Sequence, residues 1–87
     1  MDWKYIVIDC YIGGPTLFPF PPYITHFEFN RIVNRKKEKI LSAGFIRRRF
    51  EGTTTGNHCY GRSETLKVKS NPDIDNVLLD RMLFERY

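Results

Sequence analysis

Four side chains in this 87-residue sequence have soft donor atoms: Cys10, His26, His58 and Cys59. Two Cys and two His make up a zinc inventory, but the spacing is wrong for it. There is no Cys-x-x-Cys, and His58 and Cys59 are adjacent, so on an extended chain they point to opposite faces. A nucleophilic thiol activated by imidazole needs Cys and His within hydrogen-bond reach, and nothing in the sequence places Cys10 or Cys59 beside His26. The bland reading, buried thiols and partly exposed imidazoles, is favoured, and no metal, cofactor or catalytic group is expected. Asp9 lies inside an apolar stretch, where a carboxylate must be paired or solvated. A strand-end position facing solvent, or a salt bridge to the arginines at 47–49, accounts for it better than an acid/base role. Glu64 carries the same ambiguity.

The strongest signal is recognition chemistry. Residues 31–49 hold eight Lys or Arg (Arg31, Arg35, Lys36, Lys37, Lys39, Arg47, Arg48, Arg49) against one acid, Glu38, a net +7 in a chain whose total is +4. Segregated charge makes a local field that attracts acidic partners. Arginine offers bidentate geometry to carboxylate or phosphate, and lysine a point charge. The candidate partner-binding residues are Arg35, Lys36, Lys37, Arg47, Arg48 and Arg49, with Tyr60 and Arg62 as neighbours. The alternatives are a solvated helix end with arginines paired to Glu51 or Glu64, an acidic protein or nucleoprotein partner, and direct nucleic-acid binding through charge and stacking on Phe45 and Phe50. No Gly-x-x-Gly loop, RNP-type aromatic motif or helix-turn-helix supports the last.

Composition sets the frame for these residues. A chain of this length is one domain, 1–87, with little surface to bury. Hydrophobic residues are 41% and aromatics 15%, which is too apolar for a disordered chain and gives it large rings for a core. Met-Asp-Trp-Lys-Tyr is unlike a signal peptide, and the apolar runs are far short of the ~20 residues that span a bilayer. A cytoplasmic protein with reduced thiols and no membrane partner is expected.

The elements follow from local pattern. Residues 3–12 are β-branched and aromatic on both parities and predict a well-buried strand, ended by Gly13-Gly14 as a hairpin turn. A short return strand, Pro15–Phe18, is expected to stop at Pro19, Pro21 and Pro22. The extended stretch Phe18–Tyr23 is expected to dock on its own core, though exposed rings there would make a binding patch. Thr25 and Glu28 form a capping box for a helix over about 26–35 with Phe29, Ile32 and Val33 inward. Ile40–Phe50 reads as a strand, 52–57 as a turn, and His58–Lys69 as its partner, weakened at Gly61 by a bulge or by close packing under a ring such as Trp3. Such a bulge would display Tyr60, Arg62 and Ser63. Ser70-Asn-Pro-Asp73 caps a last helix over about 73–86, with Ile74, Val77, Leu78 and Met82 at helical spacing and Leu79 and Leu83 widening the stripe. The prediction is an α+β domain, β-β-α-β-β-α. It has a four-stranded, mostly antiparallel sheet with two helices packed on one face. An exposed edge strand and the proline-aromatic stretch would favour a homo-oligomer.

The stretch Ile40-Leu-Ser-Ala-Gly-Phe-Ile46, the run Cys59-Tyr-Gly-Arg-Ser63, and Val68-Lys-Ser-Asn-Pro-Asp73 with its Leu-rich helix resemble small uncharacterised proteins of bacteriophages and prophages over the C-terminal half. The resemblance brings no catalytic residues. It implies a phage-type accessory protein that engages a host protein or nucleoprotein complex, host-defence complexes such as CRISPR assemblies included.

Overall fold

A computed structural model describes residues 2–51 and 54–84, with side chains described except at 48–51, 54–56 and 84. The elements are β1 (Trp3–Cys10), β2 (Gly14–Phe20), α1 (His26–Val33), β3 (Ile40–Glu51), β4 (Thr54–Tyr60), β5 (Arg62–Ser63), β6 (Val68–Lys69) and α2 (Pro72–Phe84). β1 to β4 form one antiparallel sheet in the order β2-β1-β3-β4, and β5 and β6 a separate two-stranded ladder. The α+β class and the four-stranded sheet are as the sequence predicts.

β1 is central, and its two parities define two cores. Tyr5 and Val7 face α2 in a cluster with Leu17, Cys59 and Leu79. Ile6 and Ile8 face α1 with Phe20, Ala43, Phe29 and Val33. The helices therefore cover opposite faces, correcting the expectation that both lie on one. The continuous apolar run of β1 is the physical reason: a strand apolar on both parities needs cover on both sides.

Pairing between β1 and β3 shifts register after Val7, where Val7 opposes Ser42 and Ile8 opposes Ile40. Leu41 is the extra residue of this bulge and is partly exposed, at 40%. The bulge lets Ser42 point toward α2 while Ile40 packs on the α1 side.

β2 runs through Pro19 to Phe20, longer than predicted. Pro15 and Pro19 are four residues apart, so both ring nitrogens face the same side, and on an edge strand that side needs no partner. Phe20 is buried and stacks on Phe29 at 4.1 Å, so the proline-aromatic stretch does dock on its own core, while Tyr23 stays exposed.

The predicted strand His58–Lys69 is not one strand. β4 starts at Thr54 and ends at Tyr60, because Gly61 takes φ +80° and turns the chain out of the sheet. A Cβ at Gly61 would lie 3.0 Å from the Phe45 ring, so the glycine sits under Phe45 rather than Trp3. Residues 52 and 53 of the predicted turn lie outside the described residues.

Both helices begin where their caps predict. Thr25 Oγ1 accepts from Glu28 N at 3.1 Å, and Asn71 O accepts from Asp75 N at 2.8 Å. Their inward stripes are rotated from the predicted ones. In α1 it is His26, Phe29 and Val33 that face the sheet, and Ile32 is exposed. In α2 Asp75 and Leu79 are buried with Leu78, Met82 and Leu83 against them, while Ile74 and Val77 are about half exposed. Each rotation is pinned by a polar anchor: His26 Nε2 to Gly44 O at 2.9 Å, and Asp75 to Tyr5 and Ser42.

Candidate interaction surfaces

The basic window divides along β3. Arg35, Lys36, Lys37 and Lys39 occupy the loop before Ile40, and Arg47 lies seven residues after it. At ~3.3 Å per strand residue, Lys39 and Arg47 are about 26 Å apart. The cations of one sequence window thus form two surfaces at opposite ends of a strand, not one.

The loop end is the better defined. Asn34, 8% exposed, ends α1 and binds the loop twice: its Nδ2 donates to Glu38 O and its Oδ1 accepts from Glu38 N, both at 2.8 Å. Lys37 N donates to Asn34 O at 3.1 Å, and Lys37 adopts φ +53°. A lysine in that left-handed region is uncommon and costly, so the clamp holds the loop in a conformation it would not choose alone. Arg35, Lys36, Lys37 and Lys39 are exposed, and none makes a salt bridge among the described residues. Glu38 instead accepts from Tyr11 N, which ties the loop to the β1–β2 turn. That turn presents Tyr11 and Ile12, 90% and 81% exposed. Between turn and loop lies a groove of about 260 Å³ lined by the apolar Ile8, Cys10, Phe18 and Val33 and by the charged Arg35, Lys36 and Glu38.

The other end is a ribbon. Among the described residues β1 pairs with β3 only as far as Trp3 opposite Ile46, so there Arg47–Glu51 pair with Thr54–His58 alone. Arg47 is partly engaged there. Its guanidinium lies 4.8 Å from the centre of the Tyr60 ring, its Nε 3.3 Å from Asp2 Oδ2, and its Nη2 donates to Tyr60 Oη at 3.3 Å. The Tyr60 hydroxyl donates to Asp2. That bond, with the Arg47 charge, holds the Asp2 carboxyl below its usual range, and the Asp2 carboxylate raises the Tyr60 phenol. Such an exposed ion pair is weak and easily exchanged for an incoming anion. Arg48 and Arg49 follow on the same strand opposite Asn57 and Gly56, and their side chains lie outside the described ones.

Arg62 belongs to neither group. The turn at Gly61 carries it off the sheet to β5, where its Nε lies 3.5 Å from Glu64 Oε1.

The soft ligands are dispersed. Cys59 is buried, and burial together with the Asp75 charge pushes its thiol up to about 12. His26 is held between the edges of Phe20 and Phe45, and burial, aided by the Lys4 charge, lowers its pKa. Among the described residues no three His, Cys, Asp or Glu side chains converge as a metal site. Asp9 is an exposed strand-end residue whose N–H donates to Lys39 O at 2.9 Å.

Sequence reasoning missed the most buried acid among the described residues. Asp75, fully buried, accepts from the Tyr5 hydroxyl, from Ser42 Oγ at 2.6 Å and from Asn71 N at 2.8 Å. In the sequence it is one more acid in the first turn of a helix. Only the polar residues Tyr5 and Ser42 inside apolar strands hinted at a buried partner. Burial, and then the same carboxylate, push the Tyr5 phenol up. The three donors satisfy Asp75 and bolt α2 to β1 and β3, which is a structural role.

No described helix is long and apolar enough to cross a membrane. Comparison of the chain with protein-family models, with curated proteins and with solved structures found no match.

Proposed function

We propose that this chain is a small non-enzymatic binding protein that engages an acidic surface on a partner protein or nucleoprotein complex through the Arg35–Lys39 loop. One observation carries the reading: four exposed cations, none in a salt bridge among the described residues, stand on a clamped loop beside a groove with apolar residues in its lining and an exposed Tyr11-Ile12 tip. Preorganised cations raise association rate and select partners, and the apolar lining adds burial that a bare phosphate chain would not use. In the setting implied by the resemblance to phage accessory proteins, the partner is a host protein or a host-defence nucleoprotein complex.

Direct nucleic-acid binding is the second reading, and it is favoured by the ribbon. Two paired strands with no third strand beside them among the described residues, carrying three consecutive arginines, have dimensions that a B-form major groove admits.

Two triple variants separate the readings, Arg35/Lys36/Lys37→Ala and Arg47/Arg48/Arg49→Ala. Each is compared with the intact chain in pull-downs from host lysate and in salt titrations with random duplex and single-stranded DNA. The first reading requires that specific interactors are lost in the loop variant, with DNA affinity unmeasurable at low salt. The second requires log affinity for DNA to fall steeply with log salt, and to do so less steeply in the ribbon variant. Interactors and DNA binding unchanged in both variants refute both.

A further inference from the structure

The turn at Gly61 also builds an open pocket. β5 and the residues after it fold back over the α1 side of the sheet, and between them and the start of α1 lies a space of about 350 Å³ lined by Lys4, Thr25, His26, Phe45, Arg62 and Thr65, with Glu64 at Arg62. This volume is at the lower end of small-molecule sites. Its wall is rigid. His26 packs edge-on to both Phe20 and Phe45, and its Nε2–H must be the donor to Gly44 O, since a carbonyl only accepts. Phe27 N donates to Thr65 Oγ1 at 3.1 Å, which joins the two sides.

Two cations meet at this space from distant parts of the chain. Lys4 is half-buried on β1, and its Nζ donates to Ile24 O at 3.0 Å, which leaves two of its three N–H donors. Arg62 lines it from β5, and among the described residues only the highly exposed Glu64 is its ion-pair partner. The backbone N–H groups of Phe27, Glu28 and Phe29 already bond Thr65, Thr25 Oγ1 and Thr25 O. Those three N–H groups are not free for an anion, which leaves the two side chains as its main donors. The lining is otherwise largely apolar, formed by Phe45 and the threonine methyls.

We propose that this pocket binds a small organic oxyanion, a carboxylate or phosphate monoester with a flat apolar body, its charge between Lys4 and Arg62 and its body against Phe45. Glu64 is then the internal competitor that the ligand displaces from Arg62. This site is separate from the Arg35–Lys39 loop, and its occupancy does not depend on the loop's role.

The test uses the intact ¹⁵N-labelled chain titrated with benzoate, phenyl phosphate, inorganic phosphate and benzyl alcohol, followed by amide chemical shifts. Saturable shifts centred on Phe27, Phe45, Arg62 and Thr65 are expected for the two aryl anions, at millimolar affinity suited to so few atoms. Whichever aryl anion binds tighter identifies the charged group. Arg62→Gln, at an exposed position that leaves the fold intact, is expected to weaken binding roughly ten- to hundredfold, the loss of one charge-assisted hydrogen bond. Glu64→Gln is expected to tighten it about two- to fivefold, the worth of one exposed ion pair. No saturable shift with either aryl anion overturns the proposal. So does benzyl alcohol binding as well as benzoate, affinity unchanged in Arg62→Gln, or weaker binding in Glu64→Gln.

Discussion

Replacing Asp75 by Ala tests how much of the fold rests on one buried carboxylate. The substitution removes the acceptor of three donors: the Tyr5 hydroxyl, the Ser42 hydroxyl and the Asn71 N–H. Asp75, Tyr5 and Ser42 are at most 2% exposed, so water does not replace the lost partner without opening the core. A buried donor left unpaired costs ~1–3 kcal/mol, so the Tyr5 and Ser42 hydroxyls give about 2–6 kcal/mol, while the Asn71 N–H, on an exposed residue, can turn to water. Hydroxyls can rotate toward other acceptors and the three bonds share one centre, which places the expected loss in the lower half of that range. A domain of this size has a total stability of roughly 4–13 kcal/mol, so Asp75→Ala is expected to remove a large fraction of it. Tyr5→Phe and Ser42→Ala keep shape and remove one donor each, and each is expected to lose about 1–2 kcal/mol. The assay is urea unfolding followed by circular dichroism, with double-mutant cycles between Asp75→Asn and each donor variant. Coupling of at least ~0.5 kcal/mol is expected in both cycles. A loss under about 1 kcal/mol for Asp75→Ala, with no coupling to Tyr5 or Ser42, would refute the bolt.

Other outcomes follow from local geometry. Gly44→Ala is expected to be more damaging than Gly61→Ala: a Cβ at 44 would lie 2.3 Å from the Tyr60 carbonyl oxygen, while at 61 the obstacle is a ring atom at 3.0 Å plus a left-handed backbone worth ~1–2 kcal/mol. Thermal melts of the two variants rank them. Lys37→Gly relieves φ +53° and is expected to raise Tm by a few degrees while weakening partner binding at the loop, a split that a merely solvated loop would not give. The folded His26 has a pKa below the ordinary 6.5, so the unfolded chain takes up the proton more readily. Its contribution to stability is present above about pH 6.5 and is lost as pH falls toward the folded value, and His26→Gln is expected to flatten that part of the stability–pH curve. Cys59, buried and with its thiol near 12, is expected to resist iodoacetamide at pH 8 until the chain unfolds, whereas half-buried Cys10 is modified first; equal rates under native conditions would contradict the packing.

Much of the architecture was legible from local chemistry. Thr25 with Glu28, and Asn71 with Pro72, mark helix starts because backbone N–H groups there need acceptors wherever the helix goes. The β-branched β1 and the Gly13-Gly14 turn specify a hairpin over a span of a few residues. The fourth strand was misjudged because a mid-strand glycine reads the same whether it bulges or ends the ladder. The ring of Phe45, sixteen residues away, occupies the space beside Gly61. The interaction surface was legible as charge and not as place: eight cations within nineteen residues look like one patch in a string, and β3 carries the two groups to opposite ends.

By itself the chain determined the two helices and where they begin, the β1–β2 hairpin, the strand β3, and that its positive charge is unbalanced, since propensity, capping and ionisation act within a few residues. Tertiary structure alone decided that the helices cover opposite faces, that Asp75 rather than Ile74 turns inward, and that Lys4 and Arg62 meet across a pocket. Those outcomes depend on which partner a side chain finds across the sheet, and the free energy of a buried hydrogen bond or a filled core exceeds the small local preferences that a sequence displays.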